Sequence, residues 1–344
     1  MRIAVVASLV TPLLQAQAGG AQAFLADLAR GLAGRGHEVS LYCSAGSDIP
    51  GVELVEISVG AGAAAARVMP GGPAPPPSQA LRAGFGTLFS ELRRRRPDVI
   101  SQHAFDAEAF ELAAGLRVLH TLHLPPLVPA VVSAALACAR PVVTVSESCR
   151  RQWEAVGVSC RVIRNGVPDF DPGRPPVSDI ALIPGRISPE KGTEAAIRAA
   201  RLAGLRPLVV GDPYDAAYAE GVVRPLLGPG ELLPAIPRSE LLELMASSAV
   251  TLMPIEWEEP FGLVAAESQL AGCPVVGYRR GALPEVVRQG LGGILVDPGD
   301  LASFAVAART VLGFDRAAVR RQARQHLLID ATITAYELAL GGLS

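Results

Sequence analysis

Residues 249–267, AVTLMPIEWEEPFGLVAAE, contain the pattern that decides the fold of this chain. The apolar run from Ala249 to Met253 predicts a buried strand, and a helical pattern follows from Phe261. A strand that leads into a helix is the repeating unit of a parallel α/β sheet. At the helix start, unpaired N–H groups and the positive end of the dipole favour an anionic or hydroxyl-rich ligand.

Two carboxylates of this segment are predicted at different positions relative to the start of the helix. Glu259 precedes the predicted helix, and Glu267 lies about two turns into it. Carboxylates are strong acceptors for vicinal hydroxyls, so both can contact one elongated ligand. Helix capping also accounts for Glu259, but Glu267 is too deep in the helix for that role. Gly262 allows a ligand to approach the backbone, and Pro260 suits a first helical turn.

The same alternation of strands and helices extends outward over the whole chain in two series. The first series has predicted strands near residues 2–8, 38–43, 52–58, 98–102, 117–121 and 141–145. The second series has predicted strands near residues 179–183, 206–210, 249–253, 273–276 and 293–296, with helices that begin near Glu190, Arg238, Phe261, Leu283 and Leu301.

Two interruptions organise these series. The Pro-rich stretch 168–176 is typical of an interdomain linker, and the Ala-, Gly- and Pro-rich stretch 60–78 is predicted to be a mobile surface loop. A length of 344 residues also favours two cores over one. We therefore predict an N-terminal domain at 1–165, a C-terminal domain at 166–325, and a helix at 326–344 that packs back on the N-terminal domain. Two such α/β domains predict a ligand cleft between them, at the carboxyl ends of their strands.

The composition excludes several classes of function. The chain is 50% hydrophobic and 19% charged with a net charge of -2, so it is neither disordered nor attracted to nucleic acid. Its five cysteines form no C-x-x-C pair, so we expect no metal site and a reducing, cytoplasmic location. No apolar run reaches the roughly 20 residues that span a bilayer. A signal cleavage near residue 23 would remove the first strand, so secretion is not expected. The Ala-rich, Arg-over-Lys composition indicates a bacterial source.

The chain resembles the retaining GT-B glycosyltransferases of family 4, and the resemblance runs over nearly its whole length. The motifs that carry it are EPFGLVAAE at 259–267, AGCPVV at 271–276, GALPEVV at 281–287, PGRISPEKG at 184–192, NGV at 165–167, the Gly19-Gly20 loop and RGHEV at 35–39.

The resemblance implies two Rossmann-like α/β domains that face each other across a cleft, with a nucleotide-sugar donor as co-substrate. It implies that Glu267 holds the ribose hydroxyls and Glu259 the donor sugar. The residues expected to bind the donor are Gly19, Gly20, Gly185, Gly211, Ile236, Phe261, Gly262, Leu263, Val264 and Glu267. The base is expected beside Ala235 and Ile236 through main-chain hydrogen bonds. UDP is favoured by frequency in the family, with GDP and ADP as alternatives.

The expected chemistry needs cations more than a nucleophile. Arg186 and Lys191 flank the turn after a predicted strand, where they can stabilise the charge that develops on a departing diphosphate. The sequence contains no recognisable pair of a nucleophile and a general base. This agrees with retaining members of the family, in which the acceptor hydroxyl attacks on the same face that the diphosphate leaves. No Asp-x-Asp motif is predicted near the cleft, so we expect no cofactor and no obligatory metal.

Three histidines and one basic run are further candidates. His120 and His123 are predicted at the carboxyl end of a strand, facing the cleft, although a lone histidine is more often structural. His123 matches the family's histidine near the donor sugar, with Leu124 where an acidic residue often follows; we count it with Arg186, Lys191 and Glu259 as catalytic. His103 is a weaker acceptor-side candidate. The arginines at 93–96 suit a lipid surface, but completing a helix C-terminus explains them better.

The predicted function is retaining transfer of a hexose-type sugar to an acceptor hydroxyl of a small molecule, such as a secondary metabolite or a glycolipid precursor. Two alternatives remain open. One is an epimerase or hydrolase of nucleotide sugars with the same fold, although the extra carboxylates that an epimerase needs are not seen in the first domain. The other is a noncatalytic nucleotide-sugar binder, which four intact donor-site residues disfavour.

Overall fold

The computed structural model describes residues 1–14, 20–60 and 78–343, and these form two compact units. The N-terminal unit contains residues 1–14, Ala21–Asn165 and the C-terminal stretch from Ile329 on. The C-terminal unit contains Gly166–Leu328. The predicted loop at 60–78 falls almost entirely outside the described residues.

A parallel sheet of seven strands, in the order β3-β2-β1-β4-β5-β6-β7, forms the centre of the N-terminal unit. Its strands are β1 (Arg2–Val6), β2 (Glu38–Ser44), β3 (Glu53–Ile57), β4 (Val99–Gln102), β5 (Val118–Leu122), β6 (Val142–Thr144) and β7 (Arg161–Val162). Its helices are α1 (Gly20–Gly34), α2 (Gln79–Arg95), α3 (Ala107–Glu111), α4 (Pro129–Ala137), α5 (Glu147–Ala155) and the last helix of the chain, α13 (Ile329–Gly341).

The C-terminal unit repeats this plan with a parallel sheet of six strands, in the order β10-β9-β8-β11-β12-β13. Its strands are β8 (Ile180–Pro184), β9 (Arg206–Val210), β10 (Leu232–Leu233), β11 (Val250–Met253), β12 (Val275–Tyr278) and β13 (Gly293–Val296). Its helices are α6 (Thr193–Leu202), α7 (Ala216–Tyr218), α8 (Arg238–Ser247), α9 (Leu263–Leu270), α10 (Leu283–Val286), α11 (Leu301–Thr310) and α12 (Arg316–Arg324).

Helical periodicity explains how these sheets are covered. Helix α2 places Phe85, Leu88, Phe89 and Leu92 on one stripe, and all four are buried against β1, β3 and β4. In the C-terminal unit, helices α6 and α11 cover one face of the sheet. Their buried side chains are mostly alanines, so these helices pack close to the strands. Helices therefore cover both faces of each sheet, and its strands are buried along most of their length.

Helix α13 belongs to the N-terminal unit, although it is the last element of the chain. Its Tyr336 is fully buried, and the hydroxyl lies 3.1 Å from that of Thr121 on β5. Glu337 forms an ion pair with Arg35 and lies 2.8 Å from His37. In the part of the chain that the structure describes, no helix has the length and apolar character needed to cross a membrane.

Two helices begin later than the sequence predicts, and a glycine explains each case. The helix expected near Glu190 starts at Thr193, after a 3-10 turn at Pro189–Lys191, because Gly192 has a φ of +67°. The helix expected near Phe261 starts at Leu263, because Gly262 has a φ of +93°. This left-handed backbone cannot continue a helix, and glycine adopts it at little cost.

Candidate functional site

The strand order of the C-terminal sheet reverses between β8 and β11, and the loops that follow these strands carry three of the four predicted catalytic residues. Strand β8 pairs with β9 on one side and with β11 on the other. Ligands of open α/β sheets bind outside the carboxyl ends of the strands at such a switch point. Arg186 and Lys191 follow β8, whereas Glu259 follows β11.

Lys191 and Glu259 are brought together in an ion pair. The Nζ atom of Lys191 lies 2.8 Å from Oε2 of Glu259, and the two side chains are 21% and 14% exposed. The indole Nε1–H of Trp257 donates to the same oxygen over 2.9 Å. Glu259 is therefore fixed by two donors, with low exposure that strengthens both interactions.

Arg186 is not part of this pair and has partners of its own. Its guanidinium lies 4.3 Å from the ring centroid of Tyr214, and Nη2 is 3.5 Å from a carboxylate oxygen of Glu190. The side chain is 24% exposed. A cation held on an aromatic face retains its charge for an anionic ligand and is less free to move.

Glu267 is buried in α9 and forms an ion pair with Arg238. Its side chain is 7% exposed, and Oε1 accepts a hydrogen bond from Nε of Arg238 over 2.6 Å. The expected depth of two turns is wrong, because the later helix start makes Glu267 only the fifth helical residue. Pro260 likewise precedes the helix instead of forming its first turn.

The segment between the two glutamates is mostly buried. Phe261 and Leu263 are 5% and 8% exposed, and Val264 is partly buried. Helix α9 begins at Leu263, so the amides of Phe261 and Gly262 belong to the loop before the helix. The backbone N–H groups that this segment offers to a ligand therefore come from a tight turn and from a helix start, and not from a helix alone.

The predicted glycines after β8 and β9 pack against each other. Gly185 follows β8 and Gly211 follows β9, and a Cβ on Gly211 would overlap the carbonyl oxygen of Gly185. Near the predicted base site, Ile236 is partly buried against a core cluster. The N–H of Ala235 donates to Oδ1 of Asp212 over 3.0 Å, so this amide already has an internal partner.

In the N-terminal unit, His123 and His103 form a buried chain of hydrogen bonds. Nε2 of His123 lies 2.8 Å from Nδ1 of His103, whose Nε2 lies 2.7 Å from the hydroxyl of Ser101. Burial lowers the pKa of His123 to about 4, and burial lowers the pKa of His103 as well. Both imidazoles are therefore neutral near pH 7, which suits hydrogen bonds to hydroxyls better than binding of an anion.

His120 has a structural position, and the prediction that placed it at a strand end is wrong. Strand β5 continues to Leu122, so His120 lies inside the sheet. Its ring stacks on Phe110 at 4.3 Å, and Nδ1 lies 3.1 Å from Oε1 of Gln102. Burial lowers the pKa of His120 to about 3, which agrees with a neutral core histidine.

Other predicted features have different outcomes. Gly20 begins α1, whereas Gly19 lies outside the described residues. At the end of α2, Arg93 donates to the carbonyl oxygen of Leu112 over 2.7 Å, and Arg95 pairs with Glu53 at 2.6 Å. These contacts complete the helix end and tie it to its own unit.

Asp106 is a functional candidate that the sequence analysis did not single out. It follows β4, and its carboxylate lies 3.5 Å from the hydroxyl of Ser8, which follows β1. It occupies the N-cap position of α3 without capping it through its side chain. Burial, with the charge of Glu108, raises the pKa of Asp106 to about 7. Only a fold that brings the ends of β1 and β4 together makes this residue visible.

A solved structure shares the fold of this protein. The solved structure of Anabaena Alr3699/HepE in complex with UDP-glucose is 20% identical with a TM-score of 0.73, covering 99% of each chain. Two Rossmann-like parallel-sheet domains make this the GT-B fold of glycosyltransferases.

Family models and relatives identify the family. Residues 18–169 match Glycosyltransferase Family 4, and residues 169–326 match Glycosyl transferases group 1. The D-inositol 3-phosphate glycosyltransferase of Acidothermus cellulolyticus is 30% identical over 86% of this chain and 78% of that protein. The chain therefore belongs to the group 1 glycosyltransferases.

A second relative matches over a shorter region. The D-inositol 3-phosphate glycosyltransferase of Mycolicibacterium smegmatis is 33% identical over 183 residues, which are 49% of this chain and 42% of that protein. The match with this relative thus spans less than half of its length.

Proposed function

We propose that this protein is a retaining glycosyltransferase that moves a hexose-type sugar from a nucleoside-diphosphate sugar, with UDP favoured, to an acceptor hydroxyl. The observation that carries the proposal is the paired Lys191 and Glu259 at the switch point of the C-terminal sheet. Membership of the group 1 glycosyltransferases supports it. The Anabaena neighbour was solved with UDP-glucose, which makes UDP-glucose the first donor to test.

Each cationic and acidic group has a proposed task. Glu259 accepts hydroxyls of the donor sugar, while Lys191 and Arg186 stabilise charge on the departing diphosphate. Glu267 accepts the ribose hydroxyls. His123 and His103 are neutral, so they serve as hydrogen-bonding groups for the donor sugar or the acceptor. No obligatory metal or other cofactor is part of this proposal.

The proposed acceptor is a small molecule with hydroxyl groups or a glycolipid precursor. Both relatives described above bear the name D-inositol 3-phosphate glycosyltransferase, so inositol and its 3-phosphate belong in any acceptor screen. When it is ionised, the carboxylate of Asp106 beside Ser8 favours a neutral polyol over a phosphate at that position, because like charges repel.

A direct assay tests the proposal. The purified chain is incubated with UDP-, GDP- and ADP-glucose and an acceptor library, with and without EDTA, and products are followed by mass spectrometry. We expect transfer from one donor that persists in EDTA, and NMR of the product should show the anomeric configuration of the donor. Donor hydrolysis or epimerisation without any acceptor would support the alternative enzyme, and binding without turnover would support a noncatalytic binder.

A further inference from the structure

Arg238 forms an ion pair with Glu267, the carboxylate that we assign to the ribose. The Arg238 side chain is 22% exposed and that of Glu267 is 7% exposed, so their hydrogen bond of 2.6 Å is largely shielded from water. A carboxylate buried to this degree needs a compensating charge. The Nε–H of an arginine supplies that charge in a fixed direction, because the guanidinium is planar.

The position of Arg238 in the fold connects two parts of the donor site. It is the first residue of α8, and α8 packs against α9, which carries Glu267. The loop immediately before it holds Ile236, which we assign to the base, and Ala235, which is tied to Asp212 over 3.0 Å. One side chain therefore joins the base loop to the ribose carboxylate.

We propose that Arg238 is a positioning residue for the ribose. It holds the Glu267 carboxylate in one orientation, so that this carboxylate accepts hydrogen bonds from the ribose hydroxyls of the nucleotide. This inference rests on the proposed function. Arg238 acts through Glu267 and has no assigned contact with the sugar or the diphosphate.

This role predicts a specific effect on the choice between ribose and 2′-deoxyribose. A site built to hydrogen-bond a hydroxyl rejects the analogue that lacks it, because its polar group is then left unpaired. Such a preference for ribose requires that the hydrogen-bond acceptor, the Glu267 carboxylate, has a fixed orientation. Without Arg238 the carboxylate loses its fixed orientation, so the preference for ribose should weaken more than binding of the diphosphate.

Calorimetric titration tests the inference with the nucleoside diphosphate that binds the wild type best among UDP, GDP and ADP, and with its 2′-deoxy form. We expect Arg238→Ala to weaken ribonucleotide binding about tenfold or more and to weaken deoxynucleotide binding clearly less. Arg238→Lys should restore part of the preference. In a Glu267→Gln background, Arg238→Ala should change affinity by less than about threefold, because the group through which it acts has lost its charge.

A matched control separates positioning from general destabilisation. Arg201 pairs with Glu231 over 2.7 Å, and that carboxylate is 10% exposed, so Arg201→Ala removes a similar ion pair from the same unit. It should leave the ribose preference unchanged. If Arg238→Ala does not fold, Arg238→Lys carries the test, because it keeps the charge and loses the Nε–H.

Three results would overturn the inference. Equal losses for the two nucleotides would exclude a role at the ribose, and an undiminished effect of Arg238→Ala in the Glu267→Gln background would exclude action through that carboxylate. Tighter ribonucleotide binding by Arg238→Ala would mean that the arginine competes with the ribose. If the wild type binds none of the three nucleotides, the proposed function itself fails.

Discussion

Lys191 and Glu259 depend on each other, which changes how variants of either residue are interpreted. Their ion pair joins the loop after β8 to the loop after β11, and Trp257 donates to the same carboxylate oxygen. Removing the lysine leaves a poorly exposed carboxylate without its main cation. A loss of rate in Lys191→Ala therefore reports both the lost stabilisation of the diphosphate and a misplaced Glu259.

A double-mutant cycle separates these effects. We expect Lys191→Ala and Glu259→Ala each to lower turnover at saturating donor by about a hundredfold or more. The double variant should lose much less than the product of the two losses, with a coupling of at least about 1 kcal/mol. The exposed pair Arg224 and Glu220, at 2.7 Å, serves as the control and should show neither loss nor coupling. Independent, multiplicative losses would mean that the pair does not act as a unit.

The carboxyl group of Asp106 gives the folded chain a pH dependence of known sign. An unfolded aspartate ionises near pH 3.8, whereas folded Asp106 has a pKa of about 7 because burial and Glu108 oppose its charge. The folded state therefore retains the extra proton between these values. Its stabilising effect is complete below about pH 4 and is lost as the pH rises through 7.

Asp106→Asn should remove this dependence, because an amide cannot ionise. Relative to the variant, the wild type should lose roughly 2 to 3 kcal/mol of unfolding free energy between pH 4 and pH 8, allowing for partial exposure. Urea unfolding of both proteins at several pH values measures the difference. Parallel curves over this range would show that Asp106 is well solvated or paired in the folded state.

At the scale of elements, glycines allow the loops that carry the site to approach closely. Gly192 has a φ of +67°, and a Cβ there would overlap the carbonyl oxygen of Pro254, just after β11. Gly281 has a φ of +59°, and a Cβ there would overlap the backbone of Glu259. Both contacts hold the β11 loop in place, so the Lys191–Glu259 geometry depends on residues with no side chain.

We expect Gly192→Ala and Gly281→Ala to lower turnover at least tenfold, because the added methyl group must displace the loop that carries Glu259. Gly204→Ala is the matched control, since Gly204 also has a positive φ of +75° and a Cβ there would meet no atom within 4 Å. It should cost only about 1 to 2 kcal/mol of stability and leave turnover unchanged. Steady-state kinetics on the three variants decides, and equal turnover in all of them would show that the two contacts do not position the site.

The sequence predicts local features well, but it does not predict contacts between residues that are far apart along the chain. The strands at 206–210 and 293–296 were placed correctly, because their apolar runs and turn residues are local signals. The pairing of Arg238 with Glu267 spans 29 positions, and that of Ser8 with Asp106 spans 98, so no local pattern announces either. The sequence does not predict the late start of α9. A glycine is compatible both with the first turn of a helix and with the loop before it, and only its φ angle distinguishes the two positions.

At the scale of the whole molecule, the chain leaves its N-terminal unit at Asn165 and returns to it at Ile329. Helix α13 therefore completes a core begun more than 300 residues earlier. Its Thr332 donates to the carbonyl oxygen of Arg164 over 2.7 Å, and Gly31 on α1 has no Cβ where Ile333 packs. The stability of the first unit thus depends on residues that follow the whole second unit in the sequence.

Tyr336 and Leu338 lie on the same helix and provide the test of this dependence. Tyr336 is 0% exposed, its ring lies 5.6 Å from that of His103, and its hydroxyl contacts Thr121, whereas Leu338 is 74% exposed. Tyr336→Ala should therefore cost about 3 to 5 kcal/mol of unfolding free energy, and Leu338→Ala less than about 0.5 kcal/mol. Hydrogen exchange should locate the effect. In Tyr336→Ala, amide exchange should rise in β4 and β5, which pack against α13, and stay unchanged in β8 to β13. Equal stability of the two variants would mean that α13 is not needed to complete the N-terminal core.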